Sequence, residues 1–120
     1  MYKRQQELIS LESISYRLPH FWVREKAQSS AEVDLIVQFQ GKAIPIEIKS
    51  GATGSLKSLH QFIEGCSHPY AVRMYGGEFR IEEHTTPLAK KPYYLMNLPY
   101  YLGTQLYAYL EHFLDSYPEN

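Results

Sequence analysis

Two alternating segments dominate the pattern of this chain, and they are joined by the pair Gln40-Gly41. Every second residue is apolar on both sides of that pair: Val33, Leu35, Val37 and Phe39 before it, Ile44, Ile46 and Ile48 after it. A period of two is typical of a strand that turns one face toward a core. Two such runs separated by two residues that end in glycine predict a β-hairpin over residues 32–49.

The second face of this hairpin carries charge. Counting back from the turn places Asp34 opposite Glu47 and Glu32 opposite Lys49. Like charges directly opposite each other destabilise a sheet. A hard cation such as Mg²⁺, or Mn²⁺ in its place, offsets the repulsion, because it takes oxygen ligands and needs only one or two carboxylates. The pattern therefore indicates a metal site at Asp34 and Glu47, with Lys49 beside it.

A second interpretation of the same charges stays open. Exposed strand faces often carry charged residues, and Glu32 with Lys49 could form a surface ion pair, which contributes about 0 to 1 kcal/mol. Ile36 and Pro45 lie on the charged face and indicate that it is covered. Carboxylates on a covered face are costly without a partner.

The rest of the chain places the hairpin in an α/β fold. Apolar spacing predicts helices over 5–16 and 55–65 and a last helix capped by Thr104, whose stripe is Leu106, Tyr109, Leu110, Phe113 and Leu114. Further strands are predicted over 19–25, 70–75, 78–82 and 93–97, with a turn at Gly76-Gly77 and a polar stretch over 84–91. This order favours an α/β sandwich around a mixed sheet.

Composition narrows the classes of protein. With 120 residues, 44% hydrophobic and 21% charged, the chain fits one ordinary domain, and its formal charge of −1 provides no general attraction to nucleic acid or anionic lipid. We expect a cytoplasmic protein without a membrane span or secretory signal. The single Cys66 cannot form an internal disulfide, and His60, Cys66 and His68 match no standard zinc spacing.

The hairpin residues also carry a resemblance to a known superfamily. Asp34, followed at the end of the next strand by Glu47-Ile48-Lys49 and then by a helix, resembles the Asp…Glu-x-Lys signature of the PD-(D/E)XK nucleases. The longer runs 21–34 and 44–51 are similar to the nuclease-like C-terminal domain, itself of unknown function, of bacterial and archaeal AAA+ ATPases. This narrower resemblance covers the chain from about Gln5 to the last helix.

The resemblance implies a restriction-endonuclease-like core, a mixed sheet flanked by helices. It implies that residues 1–120 are a single nuclease-like domain, expected as the C-terminal part of a longer ATPase-type protein. It further implies that Asp34 and Glu47 ligate Mg²⁺, and that Lys49 orients or activates the attacking water and stabilises charge on the phosphate. Nucleic acid, with DNA favoured, is the implied substrate.

Accessory residues of such a site are less well defined. An acid on the first helix often completes the superfamily's site, and Glu7 and Glu12 both qualify, with Glu32 as a further candidate. The loop 51–58 nearly matches a phosphate-binding loop, although that motif needs glycine in place of Leu56. Backbone amides near Gly54, together with Lys57, are therefore candidates for one phosphate contact, and a plain glycine turn and helix cap is the alternative.

Two departures from the superfamily keep a second function open. Val33 stands where the signature has proline, and no basic groove is evident in the sequence. The alternative is a non-catalytic accessory domain that binds nucleic acid or docks an ATPase onto its partners. Tyr100, Tyr101 and the last helix are the predicted contact surface for such a partner, and that surface could also make the domain self-associate.

Overall fold

The computed structural model describes residues 21–23, 33–49 and 56–119. The elements in chain order are the strands and helices β1 (Phe21–Val23), β2 (Leu35–Phe39), β3 (Lys42–Ile48), α1 (Lys57–Glu64), β4 (Tyr70–Tyr75), β5 (Arg80–Thr85), β6 (Pro92–Pro99), a 3-10 helix (Tyr100–Gln105) and α2 (Leu106–Ser116). The predicted helix over 5–16 lies outside the described residues. No helix in the described ranges is long and apolar enough to cross a membrane.

The predicted hairpin is present with the predicted turn. Gln40 and Gly41 have φ angles of 52° and 77°, and two residues in the left-handed region match the right-handed twist of the strands on either side. Phe39 pairs with Lys42, and the antiparallel ladder runs to Leu35 and Ile46. β1 adds an antiparallel strand to the outer edge of β2.

The described strands form one mixed sheet in the order β1-β2-β3-β4-β6-β5. β3, β4 and β6 run parallel to one another, and β5 is antiparallel to β6. The predicted class, an α/β fold with a mixed sheet flanked by helices, is confirmed. The three parallel strands end at the same edge of the sheet, where ligands bind in open α/β sheets.

Helices cover both faces of this sheet. On one face α2 packs onto the aliphatic stripe of the hairpin and onto β4 and β6, so the predicted stripe residues Leu106, Leu110, Phe113 and Leu114 are buried. On the other face α1 packs against Ile36, Ala71 and Leu95 through Leu59 and Ile63. Ile36 and Pro45 are buried as well, which confirms that the charged face of the hairpin is covered.

The predicted boundaries near β5 were wrong. The strand runs from Arg80 to Thr85 rather than over 78–82, so it takes in the start of the predicted polar stretch. Its partner is β6 and not β4, and its ends therefore follow the length of β6. The turn between β4 and β5 is held by a side chain, since the Tyr75 hydroxyl donates to the Glu78 carbonyl at 2.8 Å.

The predicted cap of the last helix was also wrong. Thr104 is exposed and lies inside the 3-10 helix that leads directly into α2. Gln105 occupies the N-cap position of α2 and makes no side-chain capping bond. Gly103 allows the 3-10 helix to pack closely on β4, because a Cβ at this position would come within 2.8 Å of the Met74 methyl carbon.

Candidate metal and phosphate site

Three predicted site residues meet at the carboxyl edge of the parallel strands. Asp34 lies one residue before β2, Glu47 is the second-to-last residue of β3, and Lys49 follows β3 directly. The backbone N–H of Lys49 donates to the Met74 carbonyl at 2.9 Å, which fixes the end of β3 against β4. The hairpin and its parallel neighbour therefore position all three side chains.

Asp34 lies outside the β2–β3 ladder and is bound to β3 through its side chain. The ladder stops one pair short of the predicted Asp34–Glu47 pair. Instead, the backbone N–H of Ile48 donates to Asp34 Oδ2 at 2.8 Å. This bond uses one carboxylate oxygen and holds the carboxyl group at the end of β3.

Glu47 is a buried carboxylate that lacks a full set of partners. It is 8% exposed, its Oε2 lies 3.3 Å from Lys49 Nζ, and its Oε1 has no hydrogen-bond partner among the described residues. Burial raises the pKa of Glu47 and the charge of Asp34 raises it further, whereas Lys49 and the backbone N–H of Asp34 oppose this rise. A buried carboxylate oxygen without a partner is unfavourable, and a bound cation or a proton would compensate it.

The residues present fit one divalent cation of the Mg²⁺ type. Two carboxylates at one strand end are sufficient for an ion that keeps several waters. In the described ranges no group of three or more histidine, cysteine, aspartate or glutamate side chains is placed to hold a metal ion. The further candidates Glu7, Glu12, Glu32 and Gly54 lie outside those ranges. Lys57 is exposed and begins α1.

A polar row that the sequence analysis missed continues from Glu47 across the sheet. Glu47 is in register with Arg73 on β4, Arg73 with Asn97 on β6, and Asn97 with Arg80 on β5. Arg73 and Asn97 are both buried, at 8% and 0% exposure. The available signal was a single polar residue in each of two strands that are otherwise apolar.

The residues considered for zinc have separate structural roles. His68 is buried between two backbone groups: its Nδ1 accepts from the Tyr70 N–H at 3.1 Å, so its Nε2–H donates to the Ala43 carbonyl at 2.7 Å. His60 is hydrogen-bonded to the Tyr93 hydroxyl at 3.1 Å. Cys66 Sγ donates to the His68 carbonyl at 3.3 Å. No zinc site forms from these three residues.

Two histidines, the buried His68 and the partly buried His60, predict that the protein loses stability in mild acid. Burial lowers the pKa of His68 and of His60, so the unfolded chain takes up protons first as the pH falls through about 6.5. The neutral histidines therefore make their full contribution to the free energy of unfolding above that pH. Between about pH 7.5 and about pH 6, the free energy of unfolding should fall by up to about 0.8 kcal/mol through His68, and by less through the more exposed His60.

Urea denaturation at the two pH values measures this loss. H68Q should flatten the slope of stability against pH, and H112Q, at an exposed position of α2, is the matched variant with which that slope is compared. An unchanged stability across this range would contradict the neutral, buried state of His68.

The predicted tyrosine surface is only partly available. Tyr100 is 3% exposed and belongs to the core on the α2 side, whereas Tyr101 is 62% exposed. The apolar stripe of α2 is also buried on the sheet, so Tyr101 and the polar side of α2 are the parts of that predicted surface that are open to solvent. Tyr100 was wrongly assigned to it, because the chain turns back over the sheet directly after β6.

Comparison with known protein families gives a match over most of the chain. Residues 5–96 match the family described as a domain of unknown function (DUF4143). No curated protein and no solved structure matches the chain.

Proposed function

Because the chain belongs to the DUF4143 family, whose description names no activity, we propose its function from its own site: Mg²⁺-dependent hydrolysis of nucleic acid phosphodiesters. The proposal includes a restriction-endonuclease-like (PD-(D/E)XK) core and a role as the C-terminal domain of an AAA+ ATPase. One observation supports the hydrolase. Glu47 is buried beside Asp34 with Oε1 unpartnered among the described residues, at the sheet edge where ligands of α/β folds bind.

The site residues have distinct roles in this proposal. Glu47 and Asp34 hold the cation, Asp34 through the oxygen that the Ile48 amide does not use. When bound, the cation supplies Lewis-acid chemistry, acidifying water and offsetting charge on the phosphate oxygens. Lys49 Nζ, now 3.3 Å from Glu47, orients the attacking water and donates to the developing negative charge.

A second function is favoured by the way the described groups already pair. The bond from the Ile48 amide to Asp34 links β2 to β3, and Lys49 is ion-paired with Glu47 at the end of β3, so the three residues also have a structural role. In this alternative the domain is a non-catalytic module that binds nucleic acid or docks an ATPase onto its partner. The formal charge of −1 agrees with the docking form of this module, because it provides no general attraction to nucleic acid.

Calorimetric titration with Mg²⁺, and with Mn²⁺ as a second probe, separates the two functions. The wild type should bind one ion saturably, and D34N and E47Q should each lose this binding, because each removes a carboxylate ligand. The amide oxygen that D34N introduces can still accept from the Ile48 N–H, so the fold is kept.

The matched control is E83Q, which removes a carboxylate from an exposed position on β5. It should bind the ion as the wild type does. A wild type that binds neither ion would rule out the hydrolase and leave the accessory module.

A further inference from the structure

Arg73 is a buried cation without an ion-pair partner in the described part of the chain. It is 8% exposed, and the salt bridges formed among the described residues do not include it. Its Nε–H donates to Asn97 Oδ1 at 2.8 Å. Buried charges in proteins are normally paired, so the position indicates an anion that completes the site.

The surrounding residues hold the guanidinium in one orientation. Asn97 is fully buried, and its Nδ2 donates to the Arg80 carbonyl at 3.3 Å, which fixes its Oδ1 toward Arg73. The ring of Tyr75 lies 5.1 Å below the guanidinium carbon. Tyr75 is held in turn by its bond to Glu78. A cation supported in this way is preorganised for a ligand and not only for packing.

The Nη side of the guanidinium is the side left for that ligand. In the described ranges neither Nη atom has a hydrogen-bond acceptor, and neither is among the fully buried side-chain atoms without a partner. Two parallel N–H donors in a planar fork match the oxygens of a phosphate group. The chemistry of the ligand is therefore that of an oxyanion, phosphate above all.

The position of Arg73 links this anion to the acidic pair. Arg73 is in register with Glu47 on the neighbouring parallel strand, and adjacent strands are about 4.8 Å apart. The two side chains nevertheless do not pair, since Glu47 is bound by Lys49. We propose that Arg73 is a phosphate-binding residue that anchors the nucleic acid backbone beside Asp34 and Glu47. The identity of the substrate rests on the proposed function.

DNA binding measured by fluorescence anisotropy tests the role of Arg73 directly. Short labelled single-stranded and duplex DNA are titrated with the protein over a range of salt, with Ca²⁺ in place of Mg²⁺ to suppress cleavage. R73Q should weaken binding about 10-fold and reduce the slope of log affinity against log salt by about 0.7 to 0.9, the value of one phosphate contact. R73K should keep most of the slope and lose part of the affinity, because it retains charge without the fork.

The matched control is K42Q, which removes one positive charge at the opposite end of β3. It should leave affinity and slope unchanged. Equal affinity and slope for R73Q and the wild type, or no DNA binding by the wild type, would overturn the proposal. If R73Q does not fold, R73K decides: weaker binding at an unchanged melting temperature supports a phosphate contact, and unchanged binding refutes it.

The outcome for Arg73 is separable from the outcome for the hydrolase. Arg73-dependent DNA binding without Mg²⁺ binding would support the phosphate site and reject the hydrolase. The metal site would be supported, and the role of Arg73 rejected, if Mg²⁺ binds through Asp34 and Glu47 while R73Q leaves DNA binding unchanged.

Discussion

E47Q is expected to abolish cleavage and at the same time to make the metal-free protein more stable. Loss of a metal-holding carboxylate should lower the rate of Mg²⁺-dependent DNA cleavage by about 10³-fold. Burial and the charge of Asp34 raise the pKa of Glu47, so a neutral amide of the same shape removes a charge that is costly in the folded state. The free energy of unfolding should rise by about 1 kcal/mol. Single-turnover cleavage and urea denaturation measure the two effects.

E83Q again serves as the control and should change neither quantity by a measurable amount. Cleavage that survives E47Q would contradict the role of Glu47, and a wild type without cleavage would contradict the hydrolase. The stability measurement is independent of activity: a clear destabilisation by E47Q would show that the ion pair with Lys49 outweighs burial and the repulsion from Asp34.

K91M is expected to cause a large loss of stability through the end of α1. The ammonium of Lys91 donates to the carbonyls of Ile63, Cys66 and His68 at 2.9, 2.6 and 3.1 Å. These carbonyls lie at and beyond the end of α1, which has no basic residue of its own in its last turn and needs partners there. Removing the charged donor should cost about 3 kcal/mol, by thermal or urea unfolding.

The neighbouring Lys90 provides the control, since it is exposed. K90M should remain within about 0.5 kcal/mol of the wild type. A K91M protein as stable as K90M would mean that water satisfies the end of α1 equally well.

The hairpin could be predicted because its determinants are local. Period-two alternation, a turn of two residues and the pairing of Phe39 with Lys42 are all readable within one short stretch of sequence, and the structure follows them to Leu35 and Ile46. The order of β4, β6 and β5 could not be predicted in the same way. Gly76-Gly77 between two extended runs is typical of a hairpin, yet β6 takes the place beside β4 because parallel pairing is decided by burial across the whole sheet.

The site likewise combines features that are readable locally in the sequence with features that depend on the packing of distant strands. The signature residues indicated where the carboxylates meet, and Ile36 and Pro45 indicated that this face is covered, but which partners remain for the buried Glu47 is decided by the packing of the whole domain. Arg73 and Asn97 are 24 residues apart in sequence, and no local pattern relates them. Lys91 likewise caps a helix that ends much earlier in the chain, at Glu64.

The register of the sheet has a consequence for the order in which the site can assemble. Asp34 and the Ile48 amide are 14 residues apart and belong to one hairpin, whereas the Arg73–Asn97 bond spans 24 residues and needs β4 and β6 to dock in parallel. Closing the shorter loop costs less chain entropy, and non-local pairing is slower. We therefore expect the acidic half of the site to form early in folding, and the basic half to form only when the parallel strands complete the domain.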